Sequence, residues 1–138
     1  MALGYARGAG AYQQVRTHGG VEAADAHGLI TLLLDGAIER VRFAAGCIAA
    51  GNVVGKGEAI SKAIEIVGTL QASLNHDVKT SLVDRLDSLY DYMSRRLLEA
   101  NVKNDAGMLE EVAELLRPLR ASWVAIPADA RQMAGAAP

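Results

Sequence analysis

The sequence predicts an all-α protein: an antiparallel up-down four-helix bundle carrying a mobile N-terminal arm. Three observations point there. Apolar residues recur at helical spacing in four separate stretches. The connections between the stretches are short, which favours antiparallel neighbours. The chain is 51% hydrophobic but only 4% aromatic, and its Ala, Leu, Ile and Val suit helices packed at close range.

A chain of 138 residues fits one domain, and a domain near this size removes roughly 68–70% of its extended-chain surface from water on folding. Residues 1–24 are expected to form the arm, because Gly4, Gly8, Gly10, Gly19 and Gly20 would each lose conformational entropy if fixed in a helix. Within it, Ala11 to Arg16 differs. Tyr12, Gln13, Gln14 and Val15 make a short apolar and amide-bearing segment suited to docking on the body.

The bundle is expected over residues 25–124. Asp25 is the N-cap of a first helix, in which Leu29, Ile30, Leu33, Leu34, Ala37, Ile38, Val41, Ala44 and Ile48 recur to about Ala50; Gly51 and Asn52 end it. The second helix is read on Ile60, Ala63, Ile64, Val67, Leu70 and Leu74, ending near Asn75. A polar stretch from His76 to Thr80 precedes a third period of Leu82, Leu86, Leu89, Met93 and Leu97, broken over Val102 to Asp105. The fourth helix begins at about Ala106, capped by Asn104 or Asp105, on Leu109, Val112, Leu116, Leu119 and Trp123. Pro118 removes an amide and clashes with the preceding turn, so a kink or an early end is expected there. Residues 125–138, rich in Ala and Gly, are expected to fray.

Composition narrows the function. Fourteen lysines and arginines against 16 acidic residues give a net charge of −2, with the signs interspersed, so no basic field for nucleic acid is present. No run of about 18 apolar residues offers a membrane span, and no apolar core follows the first arginines as in a signal peptide. A cytoplasmic location is expected. The single cysteine, Cys47, fits a reducing compartment and reads as a small buried hydrophobe.

Catalytic patterns are missing. No glutamate stands three residues before His18, His27 or His76, so the Glu-x-x-His pairs of a di-iron bundle do not arise and no metal or other cofactor is expected. His18 and His76 read as solvated. His27 is either a surface histidine in the first turn of its helix or, as an alternative function, the acceptor of a histidine phosphotransfer module. There is no Gly-x-Ser-x-Gly and no P-loop, and Arg95 and Arg96, about 100° apart on their helix, cannot form a fork. The chain is read as a binding protein, not an enzyme.

Apolar surface is in surplus. Leu32, Leu33 and Leu34 spread around the first helix, and Tyr90, Tyr92 and Leu98 stand outside the main stripe of the third. Such patches usually bind something. Gly36 and Gly46 each weaken the first helix by up to about 1 kcal/mol, which close approach of another helix at Gly36 would explain.

Four segments in order, Ala11-Tyr-Gln-Gln-Val15, Leu33-Leu-Asp-Gly-Ala37, Leu89-Tyr-Asp-Tyr-Met-Ser-Arg-Arg-Leu97 and Glu99-Ala-Asn-Val-Lys-Asn-Asp105, with a closing Trp123, resemble the flagellar secretion chaperone family FliS. The family often has tyrosine where this chain has Leu34, and Ser-Pro where it has Asp25-Ala26. The resemblance implies a four-helix bundle that holds the C-terminal segment of flagellin in the cytoplasm, stops it polymerising and delivers it to the export gate. It also implies that Tyr12 and Gln14 cover the binding groove until flagellin displaces them.

The candidate partner-binding residues are Leu34, Asp35, Leu89, Tyr92, Met93, Arg96, Leu97 and Asn101. Leu89, Met93 and Leu97 share one stripe and are equally read as core. Tyr92 and Arg96, four apart on another face, favour contact. Asn101 and Asp105 are alternatively read as fastening the turn between the third and fourth helices. A third function, a bundle that only oligomerises, stays open.

Overall fold

The computed structural model describes residues 25–127. It contains four helices, α1 (Ala26–Ala50), α2 (Val53–Ala72), α3 (Ser81–Lys103) and α4 (Ala106–Val124). Each packs on its neighbour in the chain, and α4 closes the ring by packing on α1. The start of α1, the end of α2, the start of α3 and the end of α4 meet around one cavity, as an antiparallel up-down bundle requires. The expected arm, including Tyr12 and Gln14, and residues 128–138 of the expected tail lie outside the described residues.

Side chains set the helix starts. Asp25 accepts from the His27 amide at 2.9 Å, Asn52 from Gly55 at 2.9 Å, Thr80 from Val83 at 3.3 Å and Asp105 from Met108 at 3.2 Å. Each satisfies one of the amides that a first turn leaves without an intrahelical partner. Gly51 ends α1 at φ 74°, and Asn104 ends α3 at φ 55°, left-handed positions that glycine and asparagine tolerate best.

Small residues bring the helices together. Ala37 and Ala44 of α1, Ala63 of α2, Ala100 of α3 and Ala113 of α4 are fully buried beside Ile60, Val67, Met93, Leu97, Leu109 and Leu116. Cys47 is buried and forms no disulfide.

Three expectations about the helices change. The second helix starts at Val53, seven residues before the first apolar position read for it, and ends at Ala72. Its opening turns carry Gly55 and Gly57 and no apolar stripe. They are held by the Asn52 cap and by Lys56, which reaches α3. A Cβ at Gly55 would stand 2.5 Å from Asn52 Nδ2 and 3.0 Å from Cys47 Sγ, so a larger residue there would push the capping side chain aside. The third helix continues through Val102 and Lys103, stopping only where Asn104 turns left-handed. Pro118 does not end α4, which runs on to Val124 because the turns beyond it are tied to α1.

Candidate functional site

A polar chain crosses from α3 to α4. Tyr92 donates its hydroxyl to Glu111 Oε2 at 2.5 Å, and Arg96 donates from Nε to Glu111 Oε1 at 2.9 Å. Arg96 also meets Glu99 at 3.2 Å, and Lys103 meets the other Glu99 oxygen at 2.8 Å. These residues share a face because 92, 96, 99 and 103 are three or four apart on one helix. The Arg96 guanidinium lies 5.9 Å from the Tyr92 ring centroid, within cation–π range.

The chain of contacts sets the charges. Hydrogen bonds from Tyr92 and then Arg96 hold the Glu111 carboxyl below its ordinary range, and those from Lys103 and then Arg96 do the same for Glu99. The bond to Glu111 raises the Tyr92 phenol. The two carboxylates of this face are therefore ionised at neutral pH, and its side chains are partly exposed.

Two further ties join α4 to α1. Asp35 forms an ion pair with Arg120, whose guanidinium that contact holds still more firmly protonated. Trp123 donates its indole N–H to the His27 carbonyl at 2.9 Å, while His27 Nε2 lies 2.7 Å from the Trp123 carbonyl. A carbonyl can only accept, so Nε2 carries the proton. The two rings stack with centroids 4.7 Å apart and planes 14° apart.

Beside this pair, the four helix ends border a partly open cavity of about 230 Å³. Ile30 and Leu34 of α1, Leu74 after α2, Leu82, Leu86 and Tyr90 of α3, and Trp123 and Ile126 line it. The wall is almost wholly apolar. Leu82 is 55% exposed at its edge, and on the outer side of α3 a shallow depression is bounded by Asp84, Arg85, Ser88 and Leu89.

Of the residues singled out in the sequence, the structure brings Tyr92 and Arg96 together on the α3–α4 face, with Asp35 on the α1–α4 face and Leu89 half-buried on α3. Met93 and Leu97 are fully enclosed and belong to the core. Contact through their side chains, as the motif suggested, is corrected: the α3 stripe they occupy is the one that packs inward. Leu34 is 2% exposed and faces a partner only from the wall of the cavity. Tyr90, read outside the main stripe, is also core, and burial pushes its phenol up to about 12.

Asn101 meets α2 through its backbone, a contact that does not depend on the asparagine side chain. Its carbonyl accepts from Lys56 Nζ at 3.1 Å, and Asn104 Oδ1 accepts from the same ammonium at 3.1 Å. Asp105 caps α4. Lys56 is itself buried, a cation at the negative end of α3. Sequence reasoning missed it, since a lysine between two glycines carries no periodic signal. It also missed Glu111, for which the spacing of Tyr92 and Arg96 gave only half the pair.

His27 corrects both sequence readings. It is neither a surface residue nor an available phosphoryl acceptor at Nε2, because it is buried against Trp123 and that nitrogen is bound. Among the described residues no helix is long and apolar enough to cross a membrane.

The family model for the flagellar protein FliS matches residues 8–130. The chain is 44% identical over 119 residues to the flagellar secretion chaperone FliS of Salmonella typhimurium, covering 86% of this chain and 88% of that one. It is 33% identical over 126 residues to the FliS of Vibrio cholerae, covering 91% and 93%. The flagellar secretion chaperone FliSB of Pseudomonas aeruginosa is 41% identical over 112 residues, with 81% and 89% covered. With the fold, the motif order and these likenesses in agreement across most of its length, the chain belongs to the FliS family of flagellar secretion chaperones.

Proposed function

We propose that this protein is a cytoplasmic export chaperone that binds the C-terminal segment of flagellin, prevents its premature polymerisation and delivers it to the flagellar export gate. Family membership supports the reading, and one structural observation carries it to a site: the bundle leaves an apolar cavity open among its four helix ends. Leu82 at its edge and Leu98 farther along α3 are more than half exposed, surface that packing within the bundle does not use.

A disordered tail that folds on such a surface loses chain entropy and gains burial at roughly 25 cal/mol per Å² of apolar area. Amphipathic helices laid into an apolar groove bind in this way. Asp35, Leu89, Tyr92 and Arg96 lie outside the cavity wall and would add polar and apolar contacts to a segment that runs on from it along the bundle, and the binding calls on no covalent step or cofactor. Before flagellin arrives, the segment containing Tyr12 and Gln14 covers the groove, so that the partner must displace it.

Calorimetric titration with the last forty or so residues of the organism's flagellin tests the proposal. Saturable binding with a large negative heat-capacity change is expected, the signature of coupled folding. Self-association of the protein with no heat from the peptide would refute it.

A further inference from the structure

The end of α4 is attached to the bundle differently from its beginning. Leu109, Val112, Ala113 and Leu116 are fully buried, but from Arg117 onward no residue of the helix is buried. Between the two halves stands Pro118, which has no amide to offer the Glu114 carbonyl, so one rung of the helix ladder is missing. The far half rests on the core only through the half-buried Leu119 and Trp123, and its other ties are polar. Arg120 pairs with Asp35, and Trp123 exchanges hydrogen bonds with His27, both partners lying on α1. Under this half lies the apolar cavity, to which Leu119, Ser122 and Trp123 of α4 and Ile126 just beyond it contribute one wall.

We propose that residues 118–126 form a lid over the cavity, hinged at Pro118 and latched to α1 by Asp35–Arg120 and His27–Trp123, which lifts to admit a leucine-sized side chain of the bound flagellin segment. The occupant rests on the function proposed above; the lid does not. Size and chemistry agree with it. Apolar cavities of about 150 Å³ stay dry and accept a benzene-sized molecule, and this one is about 230 Å³.

The latches suit a part that must open. Both members of the Asp35–Arg120 pair are about two-fifths exposed, so water and salt replace it at little loss. The hydrogen bonds of His27 and Trp123 are likewise replaced by water when the lid lifts. Opening the first half of α4 would instead expose four enclosed side chains, so the two halves separate in stability at the proline.

Hydrogen exchange on the full chain, joined to emission of Trp123, the only tryptophan in the sequence, tests the lid. Amides of residues 119–124 are expected to show one common protection, lower than that of 109–116. His27→Ala should lower it about tenfold and Arg120→Gln about threefold, leaving 109–116 unchanged; Pro118→Ala should raise it. Saturating flagellin C-terminal peptide should shift Trp123 emission as the ring leaves His27. A graded protection fraying inward from Val124, unmoved by Arg120→Gln and Pro118→Ala, would overturn the lid. So would unmoved Trp123 emission with a peptide that calorimetry shows to be bound. A peptide that does not bind would refute the chaperone reading and the occupant together, and the exchange pattern, which needs no partner, would still decide the lid.

Discussion

Tyr92 on α3 donates its hydroxyl to Glu111 on α4, at the 2.5 Å expected for a bond to an ionised acceptor. Arg96 grips the other oxygen of the same carboxylate. One glutamate thus orients two side chains of α3 that we propose as partner contacts, and on that proposal their loss should be felt in binding more than in folding.

Replacing Tyr92 and Arg96 together by alanine is expected to weaken the flagellin peptide complex by at least about fivefold, as truncation of partly buried aromatic and arginine anchors does. Circular dichroism should show helicity close to that of the parent. Equal loss of helicity and affinity would assign the pair to the fold alone.

Met93→Ala should behave oppositely. The side chain is fully enclosed, so truncation leaves a cavity and costs about 2–5 kcal/mol. Chemical denaturation measures that loss, and peptide affinity should fall only where the folded fraction falls.

Lys56→Met keeps the apolar stem but leaves the Asn101 carbonyl and Asn104 Oδ1 without their shared donor. A destabilisation of about 1–3 kcal/mol is expected, read as a melting temperature lower by several degrees. An unchanged melting temperature would mean that water replaces the ammonium at no loss.

Acid should loosen the α3–α4 face. Glu111 and Glu99 have carboxyls held lower in the folded protein than in the unfolded chain. Their contribution to stability is therefore complete above the ordinary carboxylate value of about 4.3 and is lost as pH falls through the lower folded value. Thermal melts from neutral pH downward should show that fall, and Glu111→Gln should flatten it.

Deleting residues 1–20 is expected to raise peptide affinity and the signal of an apolar dye, because a covering segment competes with both. Unchanged affinity and dye signal would show that the Tyr12 and Gln14 segment is not a cover.

By itself the sequence determined the bundle. The helical recurrence of leucine, isoleucine, valine and alanine fixed most of the inward faces, though on α3 Leu82 stays exposed and Tyr90 turns in, and Asp25, Gly51 and Asp105 fixed helix ends, since caps and apolar periodicity act within a few residues of chain. Family likeness was legible in short motifs for the same reason. Only the tertiary structure decided which motif residues are free to touch another molecule. Met93 and Tyr92 are neighbours in one motif, yet packing seals the first and leaves the second half open. His27 and Trp123 stand 96 residues apart, Asp35 and Arg120 85, and Lys56 meets Asn101 across 45. No local pattern encodes such pairs, because they form only when antiparallel packing brings distant helix turns to the same level.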